Sequence, residues 1–260
     1  MGEVVVGFAA GLLIAVLTTP VGVSGAVFLL PVQLSVLGVP NPAVTPTNLL
    51  FNVVSGPGAL LRYGRRGALT GPLTRLMLTG TLPGVIIGAV IRVYAVPGPR
   101  AFRIIVAALL LPLGAWLCAR TVKPAGPARA EPAPAPRSVT LLSLIVGVVG
   151  GIYGIGGGSI LGPILVGRGM PVAVVAPAAL ASTFVTSVAG AAAYALLALG
   201  EGGEIAPHWV VGLSCGVGGL LGGYLGAHLQ PRMPEKGLRL LLGGMAISVA
   251  GLYVGLTIAN

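Results

Sequence analysis

Few residues in this chain could carry chemistry, and their types and spacing narrow what that chemistry could be. Among 260 residues there is no Asp, and the five acidic residues, Glu3, Glu131, Glu201, Glu204 and Glu235, all fall in tails or between apolar runs. His208 and His228 sit near opposite ends of one apolar run. A catalytic site needs a nucleophile beside a base, or an acidic or metal-binding cluster, and no such pairing is visible. Neither an enzyme nor a bound metal or cofactor is expected. Cys118 and Cys215 lie inside apolar runs, fit neither a disulfide framework nor a zinc site, and read as small packing residues.

What remains is two glycine-rich segments, GVSGAV at 22–27 and GIGGGSI at 154–160. A helix that starts at such a segment leaves its first backbone N–H groups without intrahelical partners, with the positive end of the helix dipole behind them. Gly25, Gly156, Gly157 and Gly158 would let an anion approach that backbone closely, and Ser24 and Ser159 add hydroxyl donors. Two such helix starts facing each other would hold an anion without a buried cation. The competing use of these glycines is tight helix packing, as in small-xxx-small patterns. A dinucleotide fingerprint fits poorly, because no strand precedes GIGGG and no acidic residue follows about 20 positions on.

A second polar group lies in the runs that follow. Asn48 with Asn52, and Ser182 with Thr186, are four residues apart, so each pair shares a helix face, and Thr183 adjoins the second pair. Ser and Thr in apolar helices commonly serve as hydrogen-bonded glue between helices. The two Asn are costlier to bury and point to substrate contact.

The elements that must position these residues are set by composition. Hydrophobic residues make up 55% of the chain, charged residues 8%, and the mean hydropathy is +1.01. A soluble domain carries roughly 25% charged residues, so this chain cannot clothe a soluble globule of its size. Its apolar runs are continuous and helix-length, which argues against a membrane β-barrel and for several transmembrane helices. The net charge of +10 does not signal nucleic acid, since the basic residues sit between apolar runs without an aromatic-basic patch. The apolar stretch at 4–17 follows Glu3 rather than a basic region and reads as mature structure.

A Pro- and Ala-rich segment at 121–137 reads as an aqueous linker between two transmembrane parts, 1–120 and 138–260. The parts share a pattern. Gly22, Gly25, Leu29 and Pro31 align with Gly154, Gly157, Leu161 and Pro163; Val44, Pro46, Leu49 and Tyr63 align with Val175, Pro177, Leu180 and Tyr194; and Gly84 and Gly88 align with Gly219 and Gly223. Duplication is the expectation. Each half reads as an interrupted segment, 4–37 or 139–167, followed by three spans: 43–61, 69–91 and 101–119, then 172–199, 207–229 and 237–258. Pro20, Gly22 and Gly25 break the first segment into pieces at 4–17 and 24–37, each about 21 Å long and too short to cross alone.

Charge decides the topology. If each interrupted segment is a hairpin, the halves are inverted, and all of the 15 basic residues except Arg92, Arg100 and Arg103 fall on one side. If each segment crosses once, the basic residues divide almost evenly. The positive-inside rule favours the hairpins, with the linker in the cytoplasm and both termini outside the cell (inner) membrane. The expected fold is an all-α polytopic membrane protein of two inverted repeats, each a broken or re-entrant helical hairpin plus three transmembrane helices. Inverted repeats with broken helices are the architecture of secondary transporters, with the site near midplane where the breaks meet.

These residues resemble the TauE/SafE sulfite exporter family, also called the toluene sulfonate uptake permease family. The resemblance lies in a Gly-rich hairpin ending in a small-x-x-Pro pattern, then an A-x-x-T/S-rich span, occurring twice: 22–31 with 46–63, and 154–163 with 177–194. It covers nearly the whole chain outside the linker, and the first tip departs from the fuller glycine pattern, reading GVSGA against GIGGG. It implies transport of sulfite, organosulfonates or related sulfur oxyanions. The expected partners are a small sulfur-containing anion and the lipid bilayer, without nucleic acid, and a homodimer is compatible with the sequence. With no acid inside a span, export driven by the membrane potential is expected, rather than by a proton carried on a buried carboxylate.

Overall fold

A computed structural model describes residues 1–65, 67, 69, 71–95, 99–122, 136–200 and 205–258. Most of the expected linker, and with it Glu131, Glu201 and Glu204, lies outside the described residues. Among the described residues ten α-helices run in chain order: α1 Gly2–Thr18, α2 Ala26–Ser35, α3 Asn41–Gly64, α4 Pro72–Tyr94, α5 Pro99–Val122, α6 Pro136–Tyr153, α7 Gly157–Gly167, α8 Val172–Gly200, α9 Trp209–Leu229 and α10 Glu235–Ile258. No strand occurs among the described residues. The expected spans coincide with α3, α4, α5, α8, α9 and α10 to within a few residues at each end.

The first interrupted segment differs from expectation. A 3₁₀ turn at Thr19–Val21 carries α1 on past Pro20, and the stretch Gly2–Val21 is long and apolar enough to cross a bilayer. Pro20 lies near the start of that turn, where its missing N–H costs nothing. The return limb alone is short: α2 has 10 residues and α7 has 11, about 15 Å each or half a hydrocarbon core. Each hairpin thus pairs a longer limb with a half-length one.

The chain is a multi-pass membrane protein by its surface as well. Leu13, Leu17, Ile86, Leu196, Leu199 and Leu221 are among many large apolar side chains left exposed. A soluble protein rarely leaves so much apolar surface to water; here lipid covers it.

Glycine sets the distance between helices. A side chain at Gly80, Gly84 or Gly88 of α4 would strike backbone atoms of α6, from Thr140 to Gly151; one at Gly218, Gly222 or Gly226 of α9 would strike α1, at Phe8, Leu12 and Val16. This is small-xxx-small packing. Gly222 and Gly226 make against α1 the kind of close backbone contact that Gly84 and Gly88 make against α6. Gly219 and Gly223 face α3 instead, against Phe51 and Ala59.

The same contacts give the helix directions. Gly7 and Leu12 of α1 meet Ser214 and Gly222 of α9, while Leu50, Val54 and Ala59 of α3 meet Gly212, Gly216 and Gly223, so these three helices run together. By the same test α4, α6 and α8 run together. Gly56 of α3 meets Phe184 of α8, whereas Leu49 meets Gly190, so the two groups are antiparallel. One face of the molecule carries Glu3 and His208, 3.7 Å apart. The opposite face carries Tyr63 and Gln230, beside Thr19 and Pro20. They are called the first and second faces below.

Candidate functional site

Each hairpin turns on a glycine that a side chain could not replace. Gly22 and Gly154 have φ of 77° and 68°, in the left-handed region. Gly22 lies against the backbone of Ala176 at the start of α8, and Gly154 against the carbonyl of Thr45 near the start of α3. Each tip is therefore seated on a span of the other half, and the two tips meet between α3 and α8.

There the serines come together. The Ser24 N–H donates to Ser159 Oγ at 3.1 Å, and Ser159 Oγ lies 3.2 Å from Thr183 Oγ1. Ser24 Oγ donates to Asn52 Oδ1 in a short contact and accepts from the Ala26 N–H at 3.1 Å. Asn52 Nδ2 donates to the Gly154 carbonyl and Asn48 Nδ2 to the Ala26 carbonyl, each at 3.3 Å. All of these side chains are buried. Beside them Ser24, Gly25, Asn52 and Thr183 help line a cavity of ≈ 30 Å³, somewhat more than the roughly 10–15 Å³ that one water needs. The donors are held by one another, so any anion binding here must open the tips and take over those hydrogen bonds.

The remaining candidates are placed differently. Ser182 faces Thr81 of α4 at 3.1 Å, and Thr186 Oγ1 donates to the Ser182 carbonyl of its own helix at 2.7 Å. Ser182 thereby links α8 to α4, whereas Thr186 is satisfied within its own helix. Gly156 packs on Thr183, Gly157 on Thr81, and Gly158 on the Ala179 carbonyl, so added side chains there would clash with protein. Asn48 Oδ1 is buried without a hydrogen-bond partner, leaving one acceptor of the group uncommitted. Among the described residues no cluster of three or more His, Cys, Asp or Glu could hold a metal ion.

Arg92 reads from the sequence as a basic residue of an outer loop, and the structure places it inside instead. It lies in the last turn of α4, only 9% exposed, with Nε 3.5 Å from Thr45 Oγ1 and with Tyr153 and Tyr194 beside it. Thr45 Oγ1 in turn donates to the Ile152 carbonyl at 3.3 Å, next to the second tip. The signal was present. Gly80, Gly84, Gly88 and Arg92 recur every four residues, which puts the arginine on the glycine packing face of the helix.

Residues 7–253 match the family model described as Sulfite exporter TauE/SafE. No curated protein and no solved structure matches the chain.

Proposed function

The chain belongs to the sulfite exporter TauE/SafE family, and on that premise we propose that it carries a small sulfur oxyanion across the membrane, bound where the two hairpin tips meet. The observation that carries this reading is the chain of hydrogen bonds through Asn52, Ser24, Ser159 and Thr183. Each half supplies one tip serine and one side chain from the following span. Hydroxyls can rotate to donate, so the group can turn from mutual contacts to an enclosed oxyanion. Ser24, Asn52, Ser159 and Thr183 form the inner ring of this site, with Gly25 giving the backbone room and Asn48 behind. Gly156, Gly157 and Gly158 hold the second tip in place, and Ser182 and Thr186 brace α8.

In this reading the halves 1–120 and 138–260 are inverted repeats. The opposite directions of α3 and α8 support it, as does the matching of α4 on α6 by α9 on α1. The second face, with the linker, is cytoplasmic in the cell membrane; the first face and both termini are outside. Cysteines placed at 202 and 126 test this: labelling from outside in intact cells should reach position 202 and spare 126, and the reverse pattern overturns it.

Among the described residues the acids are Glu3 and Glu235, whose side chains are 41% and 42% exposed. An inside-negative potential favours expulsion of an anion by about 2.3 kcal/mol per charge per 100 mV, enough to drive export by uniport. Sulfite flux in proteoliposomes should follow an imposed potassium diffusion potential without a pH gradient. Flux that needs a proton gradient and ignores voltage overturns uniport.

A scaffold protein without a substrate is the second reading, favoured by the mutual satisfaction of the tip serines and the tight glycine contacts. It requires that no small anion stabilise the protein.

A further inference from the structure

We propose that the seam between α4 and α6 holds an anionic phospholipid at the second face, its acyl chain in an apolar groove between the helices and its phosphate on Arg75 and Arg137. This needs only that the chain spans a bilayer, and it stands apart from the reading of the tips. The groove encloses ≈ 430 Å³ and is lined mainly by Thr79, Gly80 and Pro83 of α4 and by Arg137, Leu141 and Leu144 of α6. Sites for small ligands span roughly 300–1,000 Å³. The hollow follows from residue size: Gly80 lies against the Thr140 carbonyl, and Thr79 and Pro83 beside it are short.

The arginines stand at the mouth of this groove because α4 and α6 run in the same direction. Gly80 fits between Thr140 and Leu144, and Gly88 between Val148 and Ile152. A step along one helix is thus an equal step along the other, and Arg75 comes level with Arg137. Arg75 is four residues before Thr79 and Arg137 four before Leu141, so each arginine shares the helix face that lines the groove. Both are exposed, in the opening turns of their helices. Their carbon stems can lie along the groove walls while the guanidinium groups reach headgroup level and pair with a phosphate.

The seam between α1 and α9 has a similar hollow with different charge. Its groove encloses ≈ 470 Å³ and is lined by apolar side chains such as Val4, Phe8, Val210 and Leu213, with no arginine or lysine among the described residues. Glu3 and His208 stand at that end of the two helices. An acyl chain fits either groove, but only the α4–α6 groove adds cations for an anionic headgroup. A two-fold contact with a second copy over this groove would set arginines against arginines, so the charge favours lipid. A lipid seated there clamps α4 to α6, on which the second tip rests through Gly157 against Thr81 and Gly147.

The experiment uses the full chain purified in detergent, with phosphatidylglycerol and phosphatidylcholine of the same acyl chains as probes. Native mass spectrometry and thermal unfolding are the readouts. Wild type should bind phosphatidylglycerol about tenfold more tightly or better, and melt higher with it. Arg75→Gln combined with Arg137→Gln should abolish that preference and leave the lipid-free melting temperature unchanged. Leu141→Trp, which fills the groove, should weaken binding with both arginines in place, whereas Leu213→Trp in the other groove should leave the preference intact. Equal binding of the two lipids by wild type overturns the proposal. So does a preference that survives the double Gln variant, which assigns it to other basic residues. Loss of a dimer in Leu141→Trp, with lipid binding unchanged, gives the groove to a second copy and overturns it too. The double Gln variant alters only exposed side chains, so it decides the matter even where Leu141→Trp does not fold.

Discussion

On the first face of the molecule the Tyr194 hydroxyl donates to the Gly151 carbonyl at 3.1 Å; on the second, the Tyr63 hydroxyl donates to the Thr19 carbonyl at 3.3 Å. In the proposed repeat alignment the tyrosines correspond, and so do their acceptors. Around them the two faces part. Thr45, Tyr153 and Arg92 surround the first junction, where Ala176, Val21 and Gln230 occupy the corresponding positions of the second. The tips diverge too: the first has its serine before the helix start and the second has it inside, so Ser24 and Ser159 reach the same place from different depths. Shared positions supply scaffold, and divergent positions supply polarity. A transporter needs two alternative openings on one frame, and it needs them to treat the substrate differently.

The scaffold half of that comparison predicts the largest effect. Gly154→Val combines a left-handed backbone with a clash against the Thr45 carbonyl, and Gly22→Val does the same against Ala176. Each should lose several kcal/mol, roughly 2–6 from strain and overpacking together. Little folded protein should be recovered by size-exclusion chromatography, and equally little for both. A well-folded Gly22→Val beside an unfolded Gly154→Val would show that the junctions are not equivalent.

A smaller effect sharpens the difference between faces. Gln230→Ala removes the donor to the buried Pro20 carbonyl, which should cost about 1–3 kcal/mol and lower the melting temperature. Sulfite binding should survive, because Gln230 does not reach the tip serines. The smallest effect belongs to the tyrosines. Tyr63→Phe and Tyr194→Phe each lose one hydrogen bond to backbone, worth about 0.5–1.5 kcal/mol. Their melting temperatures should fall together; a fall in only one would break the equivalence.

Which parts of this were readable in the sequence follows from the physics that writes each signal. Helix-length apolar runs gave the spans closely, as at α8, expected over 172–199 and found at Val172–Gly200. The tip serines were readable because a Gly-rich break between apolar pieces has few other uses. The length of α1 was hidden by Pro20, which reads as a breaker but sits in a 3₁₀ turn that continues the axis. The register of α9 was hidden by doubled glycines, since 218 with 219 and 222 with 223 offer two equally good matches. Arg92 was hidden because counting basic residues by loop assumes that each faces water. The four-residue recurrence ending at Arg92 in α4 and at Gln230 in α9 is the pattern that carries both features.

The most direct test of the central claim is sulfite binding by the purified full-length protein, wild type against Ser24→Ala, Ser159→Ala and the double variant. Both hydroxyls are buried at the tips, and alanine removes a donor without adding bulk. A hydrogen bond to a charged group is worth about 1.5–3 kcal/mol, so each single variant should bind about tenfold more weakly or worse. The double variant should show no measurable binding while keeping its elution profile. Sulfite binding of wild-type strength in the double variant would contradict the account, and would return the meeting of the two tips to helix packing alone.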